Sequence, residues 1–300
     1  MCASDKRRRL FALSAVLLCA ASVVFYVLYL RCQEQKSDSG NMLPESSGGM
    51  TVAFLDVGEG DSVIVTADGE TMLVDGGLPE YSDLIYTYLK ENSIDRLKYV
   101  FCTHPHADHA GGLSGALEYA KADEAFCCVR EYGSKSFESF IEHVRQQGLE
   151  LKVPEVGTVL KLGGASVTVI SPAKEYEELN DCSLVLRIDY GKVSVLLTGD
   201  AGYDAEIDMM GSQFPLRADL LKVGHHGSGS SSYYYFLREV SPSYSVISVG
   251  KDNEHGHPSE YVIEKLRDIG SQVFRTDKDG TVVFRSDGNT VWPEKTVDNE

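Results

Sequence analysis

The sequence predicts an α/β domain: two β-sheets packed face to face with helices outside, a four-layer αββα sandwich, preceded by one transmembrane helix. Three observations predict this. Short β-branched runs punctuated by glycine fall into two blocks. Helical stretches accompany each block. Residues 10–30 contain no charged side chain.

At roughly 1.5 Å of rise per residue, the 10–30 run just spans a hydrocarbon core of about 30 Å. Lys6, Arg7, Arg8 and Arg9 precede it and only Arg31 and Lys36 follow closely, so the positive-inside bias places the rest of the chain outside the cytoplasm. The run exceeds a usual signal-peptide core of about 7–15 residues, and Tyr26, Leu28, Tyr29 and Leu30 leave no small-residue cleavage site at its end. The expectation is a membrane-anchored protein with an extracytoplasmic domain; secretion after signal cleavage is the alternative. Residues 1–32 are thus cytoplasmic N-terminus and anchor, and 33–50, rich in Ser and Gly, a flexible tether. A folded domain at 51–290 and a tail at 291–300 complete the chain.

Within the domain, strands are expected at 52–57, 62–65 and 71–74, a helix at 81–91, a strand at 97–103, and a helix at 110–121. A helix at 136–147 precedes strands at 158–162, 166–171, 183–190 and 193–197. The last third alternates helix and strand: helices at 203–211, 231–240 and 259–269, strands at 219–223, 244–249, 272–275 and 281–285.

The net charge of −17 argues against a surface built to grip a long polyanion. An anionic substrate would have to be drawn by metals and local cations, for which Lys222 and Lys251 are candidates, although solvated lysines are the default. Of the seven cysteines, Cys2, Cys19 and Cys32 lie in or beside the membrane segment. Cys102, Cys127, Cys128 and Cys182 match no zinc-knuckle spacing, and Cys102 reads as a buried hydrophobe.

The chemistry concentrates in Thr103-His104-Pro105-His106-Ala107-Asp108-His109 at the end of a strand. Three imidazoles and a carboxylate this close need partners if buried, and metal ligation supplies them. Zinc, iron and manganese all suit such donors.

This pattern resembles the metallo-β-lactamase superfamily, whose signature is His-x-His-x-Asp-His after a strand. The resemblance implies two divalent metal ions, Zn or Mn. His104 and His106 would serve one, Asp108 and His109 the other, and Asp200 in Leu196-Leu197-Thr198-Gly199-Asp200 would bridge them. A final histidine in Gly224-His225-His226-Gly227 would complete the second. Here the sequence is ambiguous, and His225 is favoured as ligand with His226 supporting it or facing substrate. Further segments, namely 54–62 with Asp56, 74–77 with Asp75, 180–186 with Asn180 and Ser183, and 256–259 with His257, resemble the hydrolase domain of ComEC-type DNA-uptake proteins. Two departures stand out. Glu59 replaces the more usual Gln, and no histidine fills the middle motif that normally completes the first metal. His143, alone between His109 and His225, falls on an expected helix, so Asn180, Asp181 or Ser183 occupies that region and leaves a more oxygen-rich shell.

The implied activity is hydrolysis by a metal-activated hydroxide. Asp108 and His257 are the catalytic candidates, with His257 protonating a leaving oxygen or binding phosphate. Asp56 and Asp75 are expected to orient ligands. The substrate class implied is a phosphodiester or other anion, nucleic acid included, and no protein partner is expected. Esters, lactones or lactams are the alternative substrates, and a non-catalytic DNA-uptake accessory is the alternative role.

Overall fold

Alternation of buried side chains along short β-branched runs sets the architecture seen in the computed structural model, which describes residues 48–251 and 253–294. The first block supplies β1 (Met50–Phe54), β2 (Val63–Ala67), β3 (Glu70–Val74) and β4 (Arg96–Cys102). They are joined by β5 (Lys121–Cys127), β6 (Leu151–Lys152), β14 (Val282–Ser286) and β15 (Val291–Pro293) in one eight-stranded sheet, ordered β15-β14-β1-β2-β3-β4-β5-β6. A seven-stranded sheet, ordered β13-β12-β11-β10-β9-β8-β7, contains β7 (Val159–Leu162), β8 (Ala165–Ser171), β9 (Val185–Tyr190), β10 (Val193–Leu197), β11 (Leu220–Lys222), β12 (Tyr244–Ile247) and β13 (Gln272–Arg275).

Inward-facing residues of both sheets, among them Val52, Phe54, Val65, Phe101, Val167, Leu186, Val195, Val246 and Phe284, form one apolar core. Each such side chain, once fully buried, contributes about 1.5–3 kcal/mol. Helices α1 (Ser82–Glu91), α3 (Leu113–Tyr119) and α4 (Lys135–Gln146) bury Ile85, Leu89, Leu117, Phe137 and Phe140 on the side of the first sheet, with the short α2 (Ala107–Ala110) between them. A second apolar cluster under α5 (Tyr203–Met210), α6 (Tyr234–Val240) and α7 (Glu260–Asp268) joins Met209, Phe236 and Leu266 to Leu196 and Leu221. A one-turn α8 (Thr276–Asp279) links β13 to β14. The expected four layers are present.

Several expectations need correcting. The helix foreseen at 110–121 is two helices parted at Gly111-Gly112, where the Gly112 N–H donates to the Gly77 carbonyl (3.1 Å) and the backbone packs against Gly76 too closely for a side chain. Residues 121–127 are instead β5, whose Lys-Ala-Asp-Glu-Ala-Phe-Cys contains no β-branched residue to announce it. Ser183 precedes β9 rather than starting it, and Ser231 lies in a loop before α6. The domain runs past 290, since β15 pairs with β14. Among the described residues no helix is long and apolar enough to cross a membrane; the expected anchor at 10–30 lies outside them.

Topology places the site. Strands β3, β4 and β5 run parallel, as do β10, β11 and β12, so their C-terminal ends gather at one edge. Ligands bind at such edges because successive loops converge there.

Candidate metal centre

The first histidine loop leaves β4 and is fixed from below by Asp75, at the end of β3. Asp75 is buried and accepts from the Thr103 N–H (2.7 Å), the Thr103 hydroxyl (2.8 Å) and His109 Nδ1 (2.9 Å). With its Nδ1 proton so committed, His109 turns Nε2 toward Asp200 Oδ2 at 3.3 Å and Asp108 Oδ2 at 3.6 Å. Asp75 thus sets the orientation of the His109 ring. His104 Nε2 lies 2.9 Å from His106 Nδ1 and 3.9 Å from Asp200 Oδ2. Ser183 joins the two sheets: its hydroxyl accepts from the Asp200 N–H (3.1 Å) and sits 3.3 Å from His104 Nδ1. Gly60, at φ 123°, lies against the Asp108 carbonyl, where a side chain would collide.

The second histidine loop follows β11. His225 and His226 have φ of 46° and 51°, a left-handed backbone that costs roughly 1–3 kcal/mol at each non-glycine residue. His226 is the one drawn into the centre: its Nε2 is 3.3 Å from Asp108 Oδ2 and 3.5 Å from Asp200 Oδ1. Asp108, His109, Asp200 and His226 offer donor atoms all within 4.8 Å of one another. The expectation that His225 completes this group is therefore corrected. His225 is partly exposed, with Nδ1 3.1 Å from the Ser230 hydroxyl, and Nε2 3.3 Å from the Asn180 amide and 3.9 Å from Asp200 Oδ2. The consecutive left-handed residues send neighbouring imidazoles in different directions, which no reading of Gly-His-His-Gly alone could foresee.

Other candidates fall differently. Asp56 accepts from the Gly58 N–H at 3.3 Å and shapes its own turn, with no ligand among its hydrogen-bond partners. His143 bonds to the Ser139 carbonyl on α4. Asp181 accepts from the Gly202 and Ala205 N–H groups (2.8 and 3.2 Å) and so ties down the start of α5 behind Asp200. Cys102 is buried, as expected, and burial pushes its thiol up to about 11. Lys222 is buried rather than solvated, paired at 2.8 Å with Asp61. Asp61 was legible as part of Gly-Glu-Gly-Asp-Ser but gave no sign of lying beneath the centre.

A cavity of about 260 Å³ opens over the site, lined by Glu59, Leu78, Asp108, His225, His226, His255 and His257. Neither Lys222 nor Lys251 lines it, so the local lysine attraction is not built here. His257 is held by Asn253, whose side chain accepts from the His257 N–H and donates to its carbonyl, both at 2.8 Å. Burial and the nearby His225, His226 and His255 push its imidazole down to about 4. It is therefore a weak base, suited to hydrogen bonding rather than to proton transfer.

The electrostatics of the centre are those of a cation site. Burial raises the Asp200 carboxyl, but His109 and His226 outweigh it and hold the group well below the usual range. Burial lowers His109 and His226, yet the carboxylates of Asp200 and Asp108 carry both well above the usual imidazole value. The carboxylates thus draw positive charge into a buried space. His109 Nε2, His226 Nε2 and Asp200 Oδ1 are buried without hydrogen-bond partners, as buried polar atoms rarely are. A divalent cation fits these donors.

Residues 55–251 match the family model described as the metallo-beta-lactamase superfamily. The chain belongs to that superfamily. It is 30% identical over 254 residues to ComE operon protein 3 of Bacillus subtilis, covering 78% of this chain and 33% of that one. Competence protein ComA of Neisseria gonorrhoeae is 29% identical over 245 residues, 81% of this chain and 33% of its own length. The chain therefore spans about a third of these relatives. Among solved structures, the metallo-β-lactamase fold protein YhfI of Bacillus subtilis superposes with a TM-score of 0.51 at 16% identity, over 82% of this chain and 100% of that one. CmlA, a diiron β-hydroxylase from Streptomyces venezuelae, gives 0.51 at 15% identity over 77% of this chain and 53% of its own. Those likenesses show the fold alone. Membership of the superfamily and the His/Asp cluster make this chain a metal-dependent hydrolase; metallo-β-lactamase folds bind divalent metals, often two.

Proposed function

We propose that this superfamily member is a dinuclear phosphodiesterase, using Zn or Mn, that acts outside the cytoplasm on DNA or another phosphorylated molecule while residues 10–30 anchor it to the membrane. The observation that carries the reading is the reach of Asp200. Its Oδ2 faces His109 at 3.3 Å and His104 at 3.9 Å while its Oδ1 faces His226 at 3.5 Å, so one carboxylate touches both halves of the ligand set. His104, His106 and Asp200 would hold one cation, and Asp108, His109, Asp200 and His226 the other.

Two such cations supply Lewis acidity at phosphoryl oxygens and make water a nucleophile near neutral pH. The protein does the rest. Asp75 fixes the tautomer of His109, leaving Nε2 free to ligate. Ser183 holds Asp200 and His104 together across the two sheets. His257, at the rim, can donate a hydrogen bond to a phosphoryl oxygen. The small cavity, about 260 Å³ and lined mainly by imidazoles and carboxylates, suits a compact group better than a bulky acyl chain. The ComE and ComA similarity supports a substrate met during DNA uptake.

Full-length protein loaded with Mn or Zn should hydrolyse bis(p-nitrophenyl) phosphate or single-stranded DNA at least tenfold faster than p-nitrophenyl acetate or a chromogenic β-lactam. Preference for the ester or lactam, or no turnover of any of them, would overturn the reading.

A further inference from the structure

Beneath the ligands lies a buried ion pair that the proposed reaction does not use. Lys222 on β11 is 1% exposed, and its Nζ donates to Asp61 Oδ2 and to the Val223 carbonyl, each at 2.8 Å. His226 Nδ1 is hydrogen-bonded to the Ser248 carbonyl at 3.0 Å, and the other oxygen of Asp61, without a hydrogen-bond partner of its own, sets its charge 3.4 Å from the same nitrogen. Both neighbours of Nδ1 are acceptors, so Nδ1 keeps its proton and Nε2, which faces Asp108 and Asp200, is the nitrogen that a cation would take over by displacing a proton. Asp61 is itself pinned to two loops of the eight-stranded sheet: its N–H donates to the Asp108 carbonyl (3.1 Å) and its carbonyl accepts from the Gly77 N–H (2.7 Å).

We propose that Asp61 and Lys222 form a positioning pair that aims His226 at the second cation, Asp61 by setting a carboxylate charge beside the ring's Nδ1 and Lys222 by making a buried Asp61 tolerable beside three other acids. The inference rests on the reading of His226 as a cation ligand. Charge explains why a lysine is needed. Asp61 and Asp75 stand together with His109, their donor atoms within 4.8 Å, directly under Asp108 and Asp200. A lone carboxylate buried there would suffer an effective penalty of several kcal/mol and turn away from its site. Lys222 cannot turn away either, because its strand pairs with β10 and β12 on both sides and Thr198 donates to its carbonyl at 2.7 Å. The arrangement parallels the Asp75 support of His109, with one difference: the Asp75 carboxylate accepts three hydrogen bonds from the first loop, and Asp61 has a lysine from the other sheet.

Three variants of the full chain, Asp61→Asn, Lys222→Met and the double variant, separate positioning from bulk stability when Tm and Mn affinity by calorimetry are both measured. Asp61→Asn should weaken the second Mn by roughly 10–100-fold. Lys222→Met should lower both Tm and Mn affinity, since it strands a buried charge. The double variant should regain Tm, because removing a buried pair whole is nearly neutral. Its second Mn affinity should stay low. Wild-type affinity in Asp61→Asn, or recovery of both quantities in the double variant, would overturn the inference and leave the hydrolase reading intact. A wild-type chain that takes up no cation would overturn that reading and this inference with it.

Discussion

The two histidine loops reach the same carboxylate by opposite means. The loop after β4 is dense, with His104, His106, Asp108 and His109 within six residues, and Asp75 ties it down through ordinary hydrogen bonds. The loop after β11 has only two adjacent histidines, in left-handed backbone, and depends on a buried ion pair for support. Ligand density makes the first loop robust and readable. Backbone conformation makes the second selective, choosing His226 over His225.

Removing the residue that both loops share is the most damaging test of this contrast. Asp200→Ala should lower turnover by more than about 10³-fold, since the several kcal/mol supplied by paired cations are lost together; steady-state kinetics at saturating Mn would show it. A smaller loss would mean that the loops work independently. The support of the first loop comes next. Asp75→Ala strands His109 and the Thr103 groups in a buried space and should destabilise the fold by about 3 kcal/mol, read from urea unfolding. A loss below about 1 kcal/mol would make Asp75 as dispensable as a surface group.

Proton competition should give a graded effect. The carboxylates raise His109 and His226 well above the ordinary imidazole value, so both bind protons at neutral pH when no cation is present. Cation binding must displace those protons, and affinity therefore rises with pH and falls as pH drops through the neutral range. Calorimetry in buffers of different ionisation enthalpy should detect proton release on Mn binding. Proton uptake would contradict the direction of both shifts.

The sequence made the four layers and the first loop legible because alternation and ligand crowding are local signals. Strand β5 was not, since Ala122, Ala125 and Phe126 mark it without a β-branched residue. Lys222 was missed for a different reason. An isolated lysine is solvated by default, and only a partner from a distant loop, Asp61, makes its burial tolerable. Asp56 sat at a strand end as Asp75 does, yet its carboxylate serves a turn. The choice between His225 and His226 hinged on two positive φ angles that the sequence does not encode by type, since neither residue is glycine.

That choice also gives the most direct test. Metal content of dialysed His225→Ala and His226→Ala proteins, measured by elemental mass spectrometry against the wild type, should show one bound cation lost in His226→Ala and the wild-type complement kept in His225→Ala. Loss in His225→Ala with full retention in His226→Ala would contradict the ligand set described here.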